Sequence, residues 1–106
     1  MPKYLFEVEY TLEGMKGLKA KGGSARVAAS KALIEEVGGS IESYYFAFGG
    51  RDAFIIADLP DNVATAALGL IVGASGAVNT AVTVLLTPEE IDEAAKKQAT
   101  YRPPGS

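Results

Sequence analysis

Five residues concentrate the chemistry this sequence could do: Tyr10, Tyr44, Tyr45, Arg51 and Asp52. A phenol can donate a hydrogen bond or pass a proton. Arginine presents a planar fork of donors that matches a carboxylate or a carbonyl, and aspartate accepts. Together they could hold a small, partly apolar ligand. Each has a plainer use as well. Asp52 can accept from turn amides while Arg51 stands in solvent. Tyr44 suits an interface and Tyr45 a core, since aromatic residues serve in both places.

A second group is acidic. Glu7, Glu9 and Glu42 fall on extended segments, where neighbouring carboxylates could do acid–base work or take a divalent ion. Such groups are more often cross-strand partners of lysine or arginine, or edge residues that deter aggregation, and three acids are few for a hard cation. No metal and no cofactor is expected. The chain holds no cysteine and no histidine. That removes thiolate nucleophiles, disulfides, the usual zinc sites, the Ser-His-Asp triad and His-ligated haem together. Gly69, Gly73 and Gly76 lack the strand, loop and lysine of a phosphate-binding loop and are read as close helix packing.

The chain has 106 residues, enough for one domain with a small core. With 48% apolar and 22% charged residues it is globular rather than disordered. The formal net charge is −3 and no basic run stands out, so nucleic acid is not an expected partner. The start, Met-Pro-Lys-Tyr-Leu-Phe-Glu, does not read as a signal peptide. The uncharged stretch from Val63 to Leu86 is interrupted by glycine, serine, asparagine and threonine. It reads as helix then strand rather than a membrane span, and a soluble cytoplasmic protein is expected.

The elements that must position these residues follow from periodicity. Lys3 to Thr11 alternates, with Tyr4, Phe6, Val8 and Tyr10 on one face. Leu12 to Gly23 could form a short helical turn, weakened by Gly14, Gly17 and Gly22-Gly23. Ser24 is placed to cap a helix over 25–37, with Ala25, Ala28, Ala29, Ala32, Leu33 and Val37 near its inner side. Gly38-Gly39 stops it. Two strands follow, joined by a tight Gly49-Gly50-Arg51-Asp52 turn. Pro60-Asp61-Asn62 opens a buried helix over Val63 to Ala74, Ala77 to Leu86 is a fourth strand, and Thr87-Pro88-Glu89-Glu90 starts a last helix with a capping box. Residues 1–98 form the domain and 99–106 a flexible tail.

This βαββαβ order gives an α+β, ferredoxin-like fold: a four-stranded antiparallel sheet, helices on one face, and an added C-terminal helix. Strict alternation puts Tyr44, Phe46, Phe48, Phe54 and Ile56 on the face the helices leave open. A patch of that size predicts a homodimer, or a higher oligomer built on it, packed sheet to sheet.

The run Glu36-Val37-Gly38-Gly39, Tyr44-Tyr45-Phe46-Ala47-Phe48-Gly49, Asp52-Ala53-Phe54-Ile55-Ile56, Leu59-Pro60-Asp61 and Leu86-Thr87-Pro88-Glu89-Glu90 resembles the GYD domain family. These are small bacterial and archaeal proteins of the dimeric α/β-barrel type. The resemblance reaches to about residue 95 and rests mostly on the order of the motifs. The motif tyrosine is Arg51 here, so any role of that hydroxyl does not transfer. The resemblance implies a fold and no agreed activity. Three functions fit: a ligand-binding or assembly module, a cofactor-independent enzyme using Tyr44, Tyr45, Arg51 and Asp52, and a structural oligomer. A cavity of several hundred cubic ångströms lined by the tyrosines would favour ligand binding or catalysis; a packed interior would favour assembly.

Overall fold

A computed structural model describes residues 1–105. Ser106, the end of the expected tail, lies outside the described residues. The elements run β1 (Lys3–Tyr10), α1 (Leu12–Lys21), α2 (Gly23–Glu36), β2 (Ser40–Phe46), β3 (Ala53–Asp58), α3 (Asn62–Ala74), β4 (Val78–Leu85) and α4 (Pro88–Ala95). All pairings are antiparallel in the order β2-β3-β1-β4, the ferredoxin-like arrangement. The core sits between the sheet and the α2–α3 layer. Tyr4, Phe6 and Val8 of β1 meet Ala53, Ile55 and Ala57 of β3, with Ile34 of α2 and Leu68 of α3 above them. Tyr4 is 2% exposed, and its hydroxyl donates to Asn62 Oδ1 at 2.6 Å, so this buried phenol is satisfied.

Several helix ends follow the sequence. Gly38 has φ +87°. Its amide donates to Glu35 O, and the Gly39 amide reaches back to Ile34 O, both at 3.0 Å, which closes α2 with a Schellman motif. Asp61 caps α3 by accepting from the Ala64 amide. Thr87 and Glu90 form the reciprocal capping box at α4, behind Pro88.

Other expectations are corrected. Leu12–Lys21 is a full helix despite its glycines. Thr11 explains this: its hydroxyl accepts from the Gly14 amide and donates to Gly76 O, tying the helix start to the α3–β4 turn. Gly14 is required there, because a Cβ would stand 2.0 Å from Ala77 O. Ser24 is not a cap; α2 begins at Gly23, where a side chain would strike the Phe46 ring. The inner side of α2 carries Arg26, Val27, Ser30, Leu33, Ile34 and Val37, whereas Ala25, Ala28, Ala29 and Ala32 are exposed. The larger side chains decide the rotation of the helix, because they have more area to bury.

The face assignment of β2 changes most. Ile41 pairs with Ala57, but Ser43 pairs with Ile56, so Glu42 is an extra residue: a β-bulge. Beyond it the parity reverses. Tyr44 and Phe46 turn toward the helices, opposite Ile55 and Ala53, while Tyr45 turns outward beside Phe54. Tyr44, Phe46, Phe54 and Ile56 therefore do not share one face, and Phe48 lies in the connecting loop, fully exposed. That loop spans residues 47–52 and is not a tight turn.

Helix α3 is less buried than its apolar composition suggests. Only Thr65 and Leu68 are buried, and Val63, Leu70 and Ile71 are exposed. Gly69 and Gly73 have open space where a side chain would stand, so they do not mark close packing. α4 projects from the body with every residue exposed. With the exposed residues 96–105 that follow, it goes with a radius of gyration of 17.0 Å, where a compact chain of this length would have about 13 Å.

Candidate functional site

The helix face of the sheet is built by alternation from β1, β3 and β4, and after the bulge also from β2. Against it, α2 brings down Arg26, Ser30 and Ile34, spaced four apart on one stripe. α3 brings Leu68, Gly69 and Val72. The layers do not close completely. A cavity of about 50 Å³ remains among Phe6, Val8, Leu33, Ile34, Ile55 and Leu68, with Tyr10, Tyr44, Arg26, Ser30 and Thr80 as its polar wall. A water needs about 10–15 Å³ in this measure, so the space admits several waters or the slender end of a larger molecule.

A wider cleft of about 430 Å³ adjoins it, between α1, the first half of α2 and the α3–β4 turn. Gly14, Gly17, Gly22, Ala25 and Ala29 give it a floor of small residues, and Glu13, Lys21 and Arg26 supply its charges. Tyr10, Arg26 and Val78 line both spaces. Tyr10 and Arg26 thus stand at the neck between an open cleft and an apolar chamber. The cleft alone reaches the several hundred cubic ångströms that ligand binding calls for, and the chamber adds an apolar end to it.

The Tyr10 hydroxyl is buried and has no hydrogen-bond partner among the described residues. Leaving such a group unsatisfied costs about 1–3 kcal/mol. Tyr44 and Arg26 are close enough to influence its ionisation, although no hydrogen bond of ordinary geometry joins them to it. Burial pushes the phenol well above its ordinary value of 10.0; Tyr44 adds to this, and the Arg26 charge opposes it. At neutral pH Tyr10 is therefore a protonated, buried donor on the wall of a mostly apolar space. Tyr44 is half-buried against the core, its ring tilted on Phe46 at 5.2 Å between centroids.

The other sequence-derived candidates lie elsewhere. Tyr45 is 72% exposed on the open face. Arg51 binds Glu9 at 2.9 Å, an exposed pair between the 47–52 loop and β1. Asp52 is structural but not in the way the turn suggests: its Oδ2 accepts from the Tyr10 amide at 2.8 Å, and its own amide donates to Val8 O. Asp52 thus pins the end of β1, and with it the backbone of Tyr10. The three glutamates are dispersed. Glu9 holds Arg51, Glu42 lies 3.4 Å from Lys3, and Glu7 faces Phe54 and Ala81 across the strands. Among the described residues no three carboxylates gather as a metal site would need.

Sequence reasoning missed Arg26. The usable signal was the four-residue spacing of Arg26, Ser30 and Ile34 in a helix whose other inward positions are apolar. Against known proteins, the family model described as the GYD domain matches residues 4–95. No curated protein and no solved structure matches the chain.

Proposed function

The chain belongs to the GYD domain family, and from that premise we propose that it is a small-ligand-binding module that works as a homo-oligomer in the cytoplasm. The observation that carries the ligand reading is the Tyr10 hydroxyl, buried without a partner at the neck between cleft and chamber. A ligand with an acceptor group would satisfy it, and its apolar part would fill the chamber behind.

The open face of the sheet supports the oligomer. Leu5, Tyr45, Phe54 and Ile56 form an apolar strip on that face. Lys3 with Asp58 and Glu42 frames it at one end, and Arg51 with Glu9 at the other. An apolar centre with a charged rim is the usual anatomy of an interface. The exposed apolar side of α3 offers a second surface for growth beyond a dimer. Among the described residues no helix is long and apolar enough to cross a membrane.

Catalysis by Tyr44, Tyr45, Arg51 and Asp52 acting together loses support, because these side chains are not gathered round one space. Native mass spectrometry of protein purified from its own host tests the proposal. The expected result is an oligomer carrying a retained small molecule. A ligand-free oligomer would leave assembly as the function, and a monomer would overturn the interface.

A further inference from the structure

We infer that the ligand is a slender monocarboxylate, its apolar end in the inner chamber and its carboxylate at Arg26 and Tyr10. This rests on the binding reading above and narrows it to one chemical class. Arg26 carries the argument together with Tyr10. Lys3 and Arg51 are engaged by carboxylates, whereas Arg26 makes no salt bridge among the described residues. Its guanidinium is always charged and its donors form a planar fork, which suits two carboxylate oxygens better than one point acceptor.

The charged groups on the cleft are Glu13, Lys21 and Arg26, one positive charge in excess. That balance suits a single negative head and not a dianion. The protonated Tyr10 hydroxyl supplies one further donor to an oxygen that Arg26 leaves free. The chamber beyond is walled mainly by Phe6, Val8, Leu33, Ile34, Ile55 and Leu68, so a charge cannot enter it without losing its solvation. The orientation is therefore fixed: head at the neck, tail inward. The chamber volume of about 50 Å³ limits the tail to something narrow, a short alkyl chain rather than a fused ring system.

The test titrates the full chain with hexanoate and with hexanamide, which has the same tail and no charge, by calorimetry or amide chemical shifts. Hexanoate should bind at least about tenfold more tightly, the ordinary advantage of a charge-assisted hydrogen bond over a neutral one. Arg26→Gln should abolish that preference and leave hexanamide within about twofold. Arg26→Lys, which keeps the charge and loses the fork, should retain part of it. Gly69→Leu, projecting into the open space beside the chamber, should abolish binding of both probes. Equal binding of both by the unaltered protein would overturn the carboxylate inference while leaving the pocket reading intact. Binding of neither would overturn both. Hexanoate binding that survives Gly69→Leu would place the head on the surface alone and overturn the orientation.

Discussion

The two faces of the sheet share the same strands and the same rule of alternation, yet they are left incomplete in opposite ways. The open face is finished chemically and unfinished sterically: its basic residues Lys3 and Arg51 are paired, while Tyr45 and Phe54 stand exposed and Ile56 is only partly covered. The helix face is finished sterically except at its neck, and there it is unfinished chemically: Tyr10 and Arg26 have donors to spare. Apolar surface without cover asks for a protein surface. Buried donors without acceptors ask for a small polar group. On the function proposed above, the fold separates assembly and ligand binding onto two sides of one layer.

The largest effect that sharpens this contrast is a truncation on each side. Tyr4→Ala should cost about 3–5 kcal/mol in chemical denaturation, because it empties the deepest part of the core and orphans Asn62. Tyr45→Ala should stay within about 0.5 kcal/mol for the isolated subunit. Equal costs would mean the faces are not distinct. Next, Ile56→Lys should weaken self-association about a hundredfold by burying an unpaired charge, read by light scattering after size exclusion. An unchanged mass would place the interface elsewhere.

Asp52→Ala should cost about 1–3 kcal/mol and speed hydrogen exchange at the Tyr10 amide that the carboxylate holds. If exchange there is unaltered, Asp52 does not link the hairpin loop to the ligand neck. The smallest effect has the opposite sign. Tyr10→Phe should stabilise the fold by about 1 kcal/mol, since it removes an unpaired buried hydroxyl, while weakening ligand retention. The same residue gives a pH signature. Its folded pKa is raised above 10.0, so below about pH 10 both states are protonated and it contributes nothing. Above that the unfolded phenol ionises first, and stability falls as pH rises. Phenolate absorbance should show one tyrosine lagging, and Tyr10→Phe should abolish the lag.

Much of the fold was legible because it is written in local chemistry. Thr87-Pro88-Glu89-Glu90 names its own helix start, Gly38-Gly39 its own stop, and β1 its own two faces. What was not legible depends on partners distant in sequence. α1 forms because Thr11 is tied to Gly76 and Ala77, some sixty-five residues away, and propensity alone cannot see that. The stretch 62–74 reads as buried because it lacks charge, but lack of charge does not say which neighbours are present to cover Leu70 and Ile71. Of the site, Tyr10 and Tyr44 were legible as phenols on strands that could meet. Arg26 was not, because an arginine in an amphipathic helix is ordinarily assigned to the solvent side.

The bulge at Glu42 makes chain length a variable alongside chemistry. Past that point the assignment of Tyr44, Tyr45 and Phe46 to inside or outside is set by the ladder that resumes at Ser43, with Glu42 left out of the count. Deleting Glu42 alone would leave a regular ladder, with Ser43 still opposite Ile56 and Tyr44 still opposite Ile55, so both faces of β2 would be kept. Substituting Glu42 by almost any other residue would leave that arithmetic intact. Loss of one residue at this point should therefore be well tolerated among natural variants, whereas a one-residue insertion would have to enlarge the bulge to keep Tyr44 inside.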